Sequence, residues 1–246
     1  MKQKHIFILF LFLAIFSLSG NLVPILAVAP PSEQQIADRL VKAKKVCLGQ
    51  ISERDALIAQ MITTLNKKQK ALLAPDFDAL MSKLTNMQST LQSWRSEINS
   101  ASTIEEVKSI QSGKIKGLRQ SRVFIPKYNQ LYKLGIYTKS LYRIQTRVNT
   151  YTDLYNQKSN TDKDKKYEIV GKKLTEINAI MTTLGDDLTT LKSRTNNLTP
   201  EMYNTTKGDF NDQLRSIRQK SKALASKIEN LFEKLKNLKK VLYNIQ

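Results

Sequence analysis

Apolar residues in this chain recur at alternating steps of three and four over very long stretches. The last stretch reads Phe210, Leu214, Ile217, Ser221, Leu224, Ile228, Leu231, Leu235, Leu238, Leu242 and Ile245. The one before it reads Val170, Leu174, Ile177, Met181, Leu184, Leu188, Leu191, Thr195 and Leu198. An earlier one reads Phe77, Leu80, Leu84, Met87, Leu91, Trp94 and Ile98. This spacing puts each set on one stripe of a helix, and several heptads in register predict helix-on-helix seams. A strand would need alternation with period two, which these stretches lack. The expected fold is therefore all-α: an elongated antiparallel helical bundle, or coiled coil, of about five long helices over residues 28–246.

Turn residues agree. Beyond Ser32 only Pro75, Pro126 and Pro200 remain, with seven of the eight glycines. A sheet protein of this length needs more of both to reverse its strands. Ser32 with Gln35 forms a capping box for a first helix reaching about Lys70. Pro75 and Asp76 open a second helix, which ends near Ser100. Ser102 with Glu105, or Thr103 with Glu106, caps a third. Gly113 and Gly117 weaken the chain locally before a long helix to about Gln157. Residues 160–162 form a turn. Thr199 caps the next start, with Pro200 at the first helical position, and Gly208 with Asp209 separates a short turn from the final helix. Connections this short predict neighbours that run antiparallel.

The N-terminus reads as an address. Lys2 and Lys4 precede an unbroken apolar run from Ile6 to Phe16, and small and polar residues follow. That pattern describes a signal peptide over residues 1–27. An uncleaved N-terminal membrane anchor is the alternative, since the apolar stretch approaches the ~20 residues of a span. Either way the bulk of the chain is expected outside the cytosol: periplasmic, at the cell surface or secreted.

Loss of that leader would remove His5, the one histidine. The remainder then has no Ser-His-Asp or Cys-His constellation and no His-containing zinc site. Cys47 is the one cysteine, so it forms no internal disulfide and no Cys-only metal site. Its helical step with Leu40, Ala43 and Ile51 predicts a buried thiol; a disulfide to another chain is the alternative. Neither a phosphate-binding P-loop nor a dinucleotide fingerprint occurs. No catalytic, cofactor or metal residues are expected, and the chain reads as non-enzymatic. Carboxylates alone could serve a glycosidase, but its two acids must face each other across a cleft, and here they are scattered.

Charge is uneven. Forty Lys and Arg stand against 21 Asp and Glu. No acid occurs between Glu106 and Asp153, while ten cations do, and six of the nine tyrosines fall at 128, 132, 137, 142, 151 and 155. At ~100° per residue, Leu134, Tyr137, Leu141, Ile144, Val148, Tyr151 and Tyr155 make a seam, so those tyrosines are expected in the core. Lys139, Arg143 and Arg147 make a stripe on the opposite side, with Tyr132 and Lys133 beside it. These five are the candidate anion-binding face, because cations interleaved with rings hold polyanions. The competing reading is a solvated cationic surface balanced by acids on neighbouring helices. Pro126 is expected to kink this helix or to mark its true start.

The segment KIKGLRQSRVFIPKYNQLYKLGIYTKSLYRIQTRV, with RVFIPK at its centre, resembles a stretch of uncharacterised exported helical coiled-coil proteins of bacteria. The resemblance implies class and location only, since those proteins carry no activity to transfer. The expected function is binding or scaffolding at the cell envelope. The partner would be an anionic envelope polymer, lipid headgroups or another protein. Homo-oligomers through the seams are open, and nucleic acid is not expected outside the cell. The alternative is an extracytoplasmic holdase-type chaperone that clamps unfolded clients between cationic helices.

Overall fold

A computed structural model describes residues 32–116, 120–159 and 165–243. The expected leader, the turn at residues 160–162 and the seam position Ile245 lie outside the described residues. Contacts divide the chain after Arg39. Of the first unit, residues 32–39 are described, and they hold the expected capping box. The Gln35 amide donates to Ser32 Oγ, and the Ser32 amide donates to Gln35 Oε1, both at 3.2 Å.

The chain is all-helical, with no strand among the described residues. The α-helices are α1 (Glu33–Lys67), α2 (Ala74–Ser100), α3 (Ile104–Ser109), α4 (Gln120–Ser159), α5 (Lys165–Asn196), α6 (Pro200–Thr205) and α7 (Lys207–Tyr243). A 3₁₀ turn, Gln69–Ala71, follows α1, and a π-helical turn, Ile110–Ile115, follows α3.

Side-chain caps mark three of the helix starts, Ser32 for α1, Thr103 for α3 and Thr199 for α6. Thr103, not Ser102, caps α3: its side chain accepts from the Glu106 amide while the Glu106 carboxylate accepts from the Thr103 amide. Thr199 accepts from the Met202 amide, with Pro200 in the first turn of α6. Two boundaries fall elsewhere than expected, and two features are specified more closely. The first α-helix stops at Lys67, and the 3₁₀ turn takes up the residues to Ala71. The weak point around Gly113 is a π turn and not a break, because the preceding helix continues with a wider hydrogen-bond ring. Pro126 lies inside α4, whose described residues run from Gln120. The final split falls at Thr206 (φ −140°, ψ 73°), whereas Gly208 is helical.

Two apolar cores form beyond Arg39, and α4 contributes to both. The first gathers Cys47, Ile51, Ile58 and Leu65 of α1 with Leu80, Leu84, Leu91, Trp94 and Ile98 of α2. Val107, Ile115 and Tyr128 of α4 close it. The second gathers Leu134, Leu141, Ile144, Val148 and Tyr151 of α4 with the seams of α5 and α7. Every seam position from Val170 to Leu198 and from Phe210 to Leu242 is buried, including Thr195 and Ser221. Polar pairs show how the helices are set. Asp55 of α1 accepts from Gln88 and Gln92 of α2, and Lys44 donates to the Asn99 carbonyl. On α5 and α7, Glu176 meets Lys234, Asp187 meets Lys227 and Ser216 accepts from Arg194. Partners run in inverse order in both pairs, so each pair of helices runs in opposite directions.

Gly135 lets the α4 backbone pass close to Leu72 and Asp76. A Cβ there would lie 2.7 Å from Leu72 Cδ2 and 3.5 Å from Asp76 Cβ. Leu72 is itself buried, so it has little room to withdraw. Gly185, in the interior of α5, has open space where a Cβ would be. Many threonine side chains, buried Thr195 included, donate to carbonyls one turn back. On α4, Thr138, Thr146, Thr150 and Thr152 donate to Leu134, Tyr142, Thr146 and Val148.

The two glycines should respond oppositely to alanine. Gly185→Ala removes backbone freedom from the unfolded chain and meets no atom, so urea unfolding should show a gain of about 0.5–1 kcal/mol. Gly135→Ala carries the same gain but forces Leu72 aside, at about 1–3 kcal/mol, and should be destabilising overall. A Gly135→Ala protein as stable as Gly185→Ala would show that the approach to Leu72 is loose.

Candidate functional site

The acid-free stretch becomes the π turn and most of α4. Its seam is where the spacing placed it: Leu134, Leu141, Ile144, Val148 and Tyr151 are buried, and Tyr137 and Tyr155 pack against the same core. The five candidate residues are not brought together as one face. Lys139 is half-buried, and its ammonium donates to the carbonyls of Lys70 and Leu72, the latter at 3.0 Å. It satisfies acceptors that the end of α1 and its 3₁₀ turn would otherwise leave bare. Tyr132 is half-buried against the first core, and the Lys68 ammonium stands 5.8 Å from its ring centroid. Lys133, Arg143 and Arg147 are exposed. None of these three makes an ion pair among the described residues.

A second set of cations follows the logic of Lys139. The Lys127 ammonium donates to the carbonyls of Asn196 (2.5 Å) and Leu198 (2.8 Å). Lys83 donates to Asn196 Oδ1 at 2.7 Å. Both sit at the C-terminus of α5, where the helix dipole favours positive charge. Burial pulls both lysines below their ordinary pKa, and Lys83 adds repulsion at Lys127. Lys192, one turn earlier, pairs with Asp76 at 2.6 Å. These contacts tie α2, α4 and α5 together where the two cores meet. Sequence reasoning had no access to them, because the lysines are matched to carbonyls of residues about 70 to 110 positions away.

What remains exposed is Lys133, then Arg143 and Arg147 with Tyr142 beside them. The Tyr142 ring is 61 % exposed, the most open aromatic side chain among the described residues. It stands at the lip of a shallow groove of about 370 Å³ between α4 and α5, floored by Leu141, Met181 and Leu188 and edged by Thr138, Gln145 and Thr189. Tyr142 sits one position off the seam after Leu141, which was the available signal that it points outward. An arginine pair with an exposed ring can hold a phosphate or carboxylate by charge while the ring packs against the carrier. Among the described residues no three His, Cys, Asp or Glu side chains converge on a point that could hold a metal. None of the described helices is long and apolar enough to cross a membrane.

The division between structural and available cations is testable. Lys139→Met leaves two carbonyls without their donor and should cost about 1–3 kcal/mol in urea unfolding. Arg143→Gln with Arg147→Gln should stay within about 0.5 kcal/mol of wild type. Equal losses would mean that the arginines also hold the fold.

Tyr128 supplies a pH test. It is 6 % exposed, and burial, with Tyr132 adding to it, pushes its pKa up to about 12. The folded state thus favours the neutral phenol. That stability is fully present below the ordinary value near 10 and is lost as pH rises to about 12. Its size is about 2–3 kcal/mol. Tyr128→Phe should therefore unfold less steeply with pH across that window, measured by urea melts at stepped alkaline pH. An unchanged slope would show that the phenol ionises freely in the folded chain. No protein-family model matches this chain, and neither a curated protein nor a solved structure shows significant similarity to it, so a functional reading rests on its own residues.

Proposed function

We propose that this chain is a non-enzymatic, exported helical protein that binds at the cell envelope. Its helices would form an antiparallel bundle of about five long members joined by coiled-coil seams, with α4 carrying the contact surface. The observation that carries this reading is the state of Arg143 and Arg147. They are exposed, without ion pairs among the described residues, on a helix with no acid before Asp153. Lys227, Lys234 and Lys236 differ, since each is paired with Asp187, Glu176 or Glu233. Net positive charge alone would attract anions diffusely; unpaired arginines beside Tyr142 give the attraction a place. Export is supported by the basic, then apolar, then small-residue order of the first 27 positions. A holdase would need apolar surface open to a client, and burial of both seam sets favours the binding reading over that one.

The test is co-sedimentation of the protein with vesicles of anionic or neutral phospholipid, alongside a soluble polycarboxylate. Each basic residue near an anionic surface contributes about 1 kcal/mol. The triple variant Lys133→Gln, Arg143→Gln, Arg147→Gln should therefore bind anionic vesicles about 100-fold more weakly, and wild-type binding should fall as salt rises. Replacing Lys227, Lys234 and Lys236 with Gln should matter much less. Equal loss in both triple variants would sink the face and leave diffuse charge. Binding to the polymer and not to vesicles would place the partner in the wall.

A further inference from the structure

The seams that could have joined two copies are buried within the chain itself. Any self-association must use another face, and α1 offers one. Cys47, Ile51, Ile58 and Leu65 are buried on its inner side. At ~100° per residue, Gly49 lies on the side opposite this seam. Val41, Lys45, Gly49, Glu53 and Leu57, four residues apart, form a ridge that crosses the outward face. All five are exposed. Val41 is 66 % and Leu57 is 41 % exposed, open for such apolar side chains. Lys45 and Glu53 make no ion pair among the described residues, although neighbouring Lys44 is engaged with the Asn99 carbonyl. A Cβ at Gly49 would meet nothing within 4 Å.

The order along this ridge is apolar, cation, gap, anion, apolar. It is complementary to itself when reversed. We propose that the outward face of α1 is a homodimer contact in which a second copy crosses it in the opposite direction, with the two-fold axis at Gly49. That axis sets Lys45 of each copy beside Glu53 of the other, and Val41 beside Leu57. The missing side chain at Gly49 lets the two helices approach at the crossing point. Self-complementary charge of this kind is what an isologous interface requires. Parallel pairing about the same point would put Lys45 on Lys45 and Glu53 on Glu53, so the charges select the reversed orientation. One helix crossing buries less than the 1,200–2,000 Å² of a standard interface, so the dimer is weak and concentration-dependent. It goes beyond the anion-binding reading and does not depend on it.

Two measurements test it on the full chain. Sedimentation velocity over a concentration series should show a reversible monomer–dimer equilibrium. Lys45→Glu and Glu53→Lys should each weaken it about tenfold, because each puts two like-charged pairs at the contact. The double variant Lys45→Glu, Glu53→Lys should restore it. Gly49→Leu should abolish it while helicity by circular dichroism stays unchanged, since the space around Gly49 is open in the monomer. The second measurement is carbodiimide coupling, which joins an amine to a carboxylate at contact distance. Within one chain Lys45 and Glu53 are ~12 Å apart along the helix, too far to couple, so a Lys45–Glu53 cross-linked peptide can come only from two copies. A monomer at every concentration overturns the proposal. So does a dimer indifferent to the single charge reversals and to Gly49→Leu, or one whose cross-linked peptides exclude Lys45 and Glu53.

Discussion

One helix serves two apolar cores, and the other helices are arranged around that fact. The early part of α4 gives Tyr128 to the core of α1 and α2, with Leu131, Tyr132 and Ile136 packed against it, while Val123 and Leu134 from the same stretch join the other core. Its later part gives Leu141 to Tyr151 to the core of α5 and α7. A helix is hydrophobic along one stripe and must bury it. Here the early part of α4 buries two such faces, one in each core, and the later part only one. At position 135 the chain places a glycine, because Leu72 and Asp76 come within a side chain's reach of the α4 backbone. The same level holds three helix ends, those of α1, the start of α2 and the end of α5, and their polar backbone groups must be satisfied where apolar layers crowd in.

Lysines solve that problem, and in doing so they account for part of the excess positive charge. Lys127 and Lys139 bond carbonyl oxygens, which carry only partial charge, so each leaves its full positive charge uncancelled. A chain that caps helix ends this way becomes basic without having a basic partner. Net charge is thus a poor guide to function here.

The seams were legible in the sequence because burial on a helix repeats every three or four residues whatever the partner is. Leu174 to Leu198 and Phe210 to Leu242 needed no knowledge of the fold. Caps were legible for a related reason: Thr103 with Glu106 and Thr199 with Pro200 act within one turn. The carbonyl contacts of Lys139 were not legible, because they depend on where α1 ends, a position fixed by packing some 70 residues upstream. The need for glycine at 135 comes from Leu72 pressed against the backbone, which cannot be read from α4 alone. Tyr142 and Tyr151 share a residue type and a neighbourhood, yet one is open and the other buried. Only their phase relative to Leu141 separates them.

The threonines on α4 have an effect on mechanics. A hydroxyl that donates to the carbonyl one turn back competes with the backbone amide already bonded there, and such back-bonding bends helices slightly. Thr138, Thr146, Thr150 and Thr152 all do so along the stretch of α4 that carries Arg143 and Arg147. Long helices wrapped on a core bow with the convex side toward solvent. A bowed α4 would touch a flat sheet of headgroups along a short arc and roll upon it. A flexible polymer strand could follow the whole curve instead, so curvature alone would favour a thread over a plane.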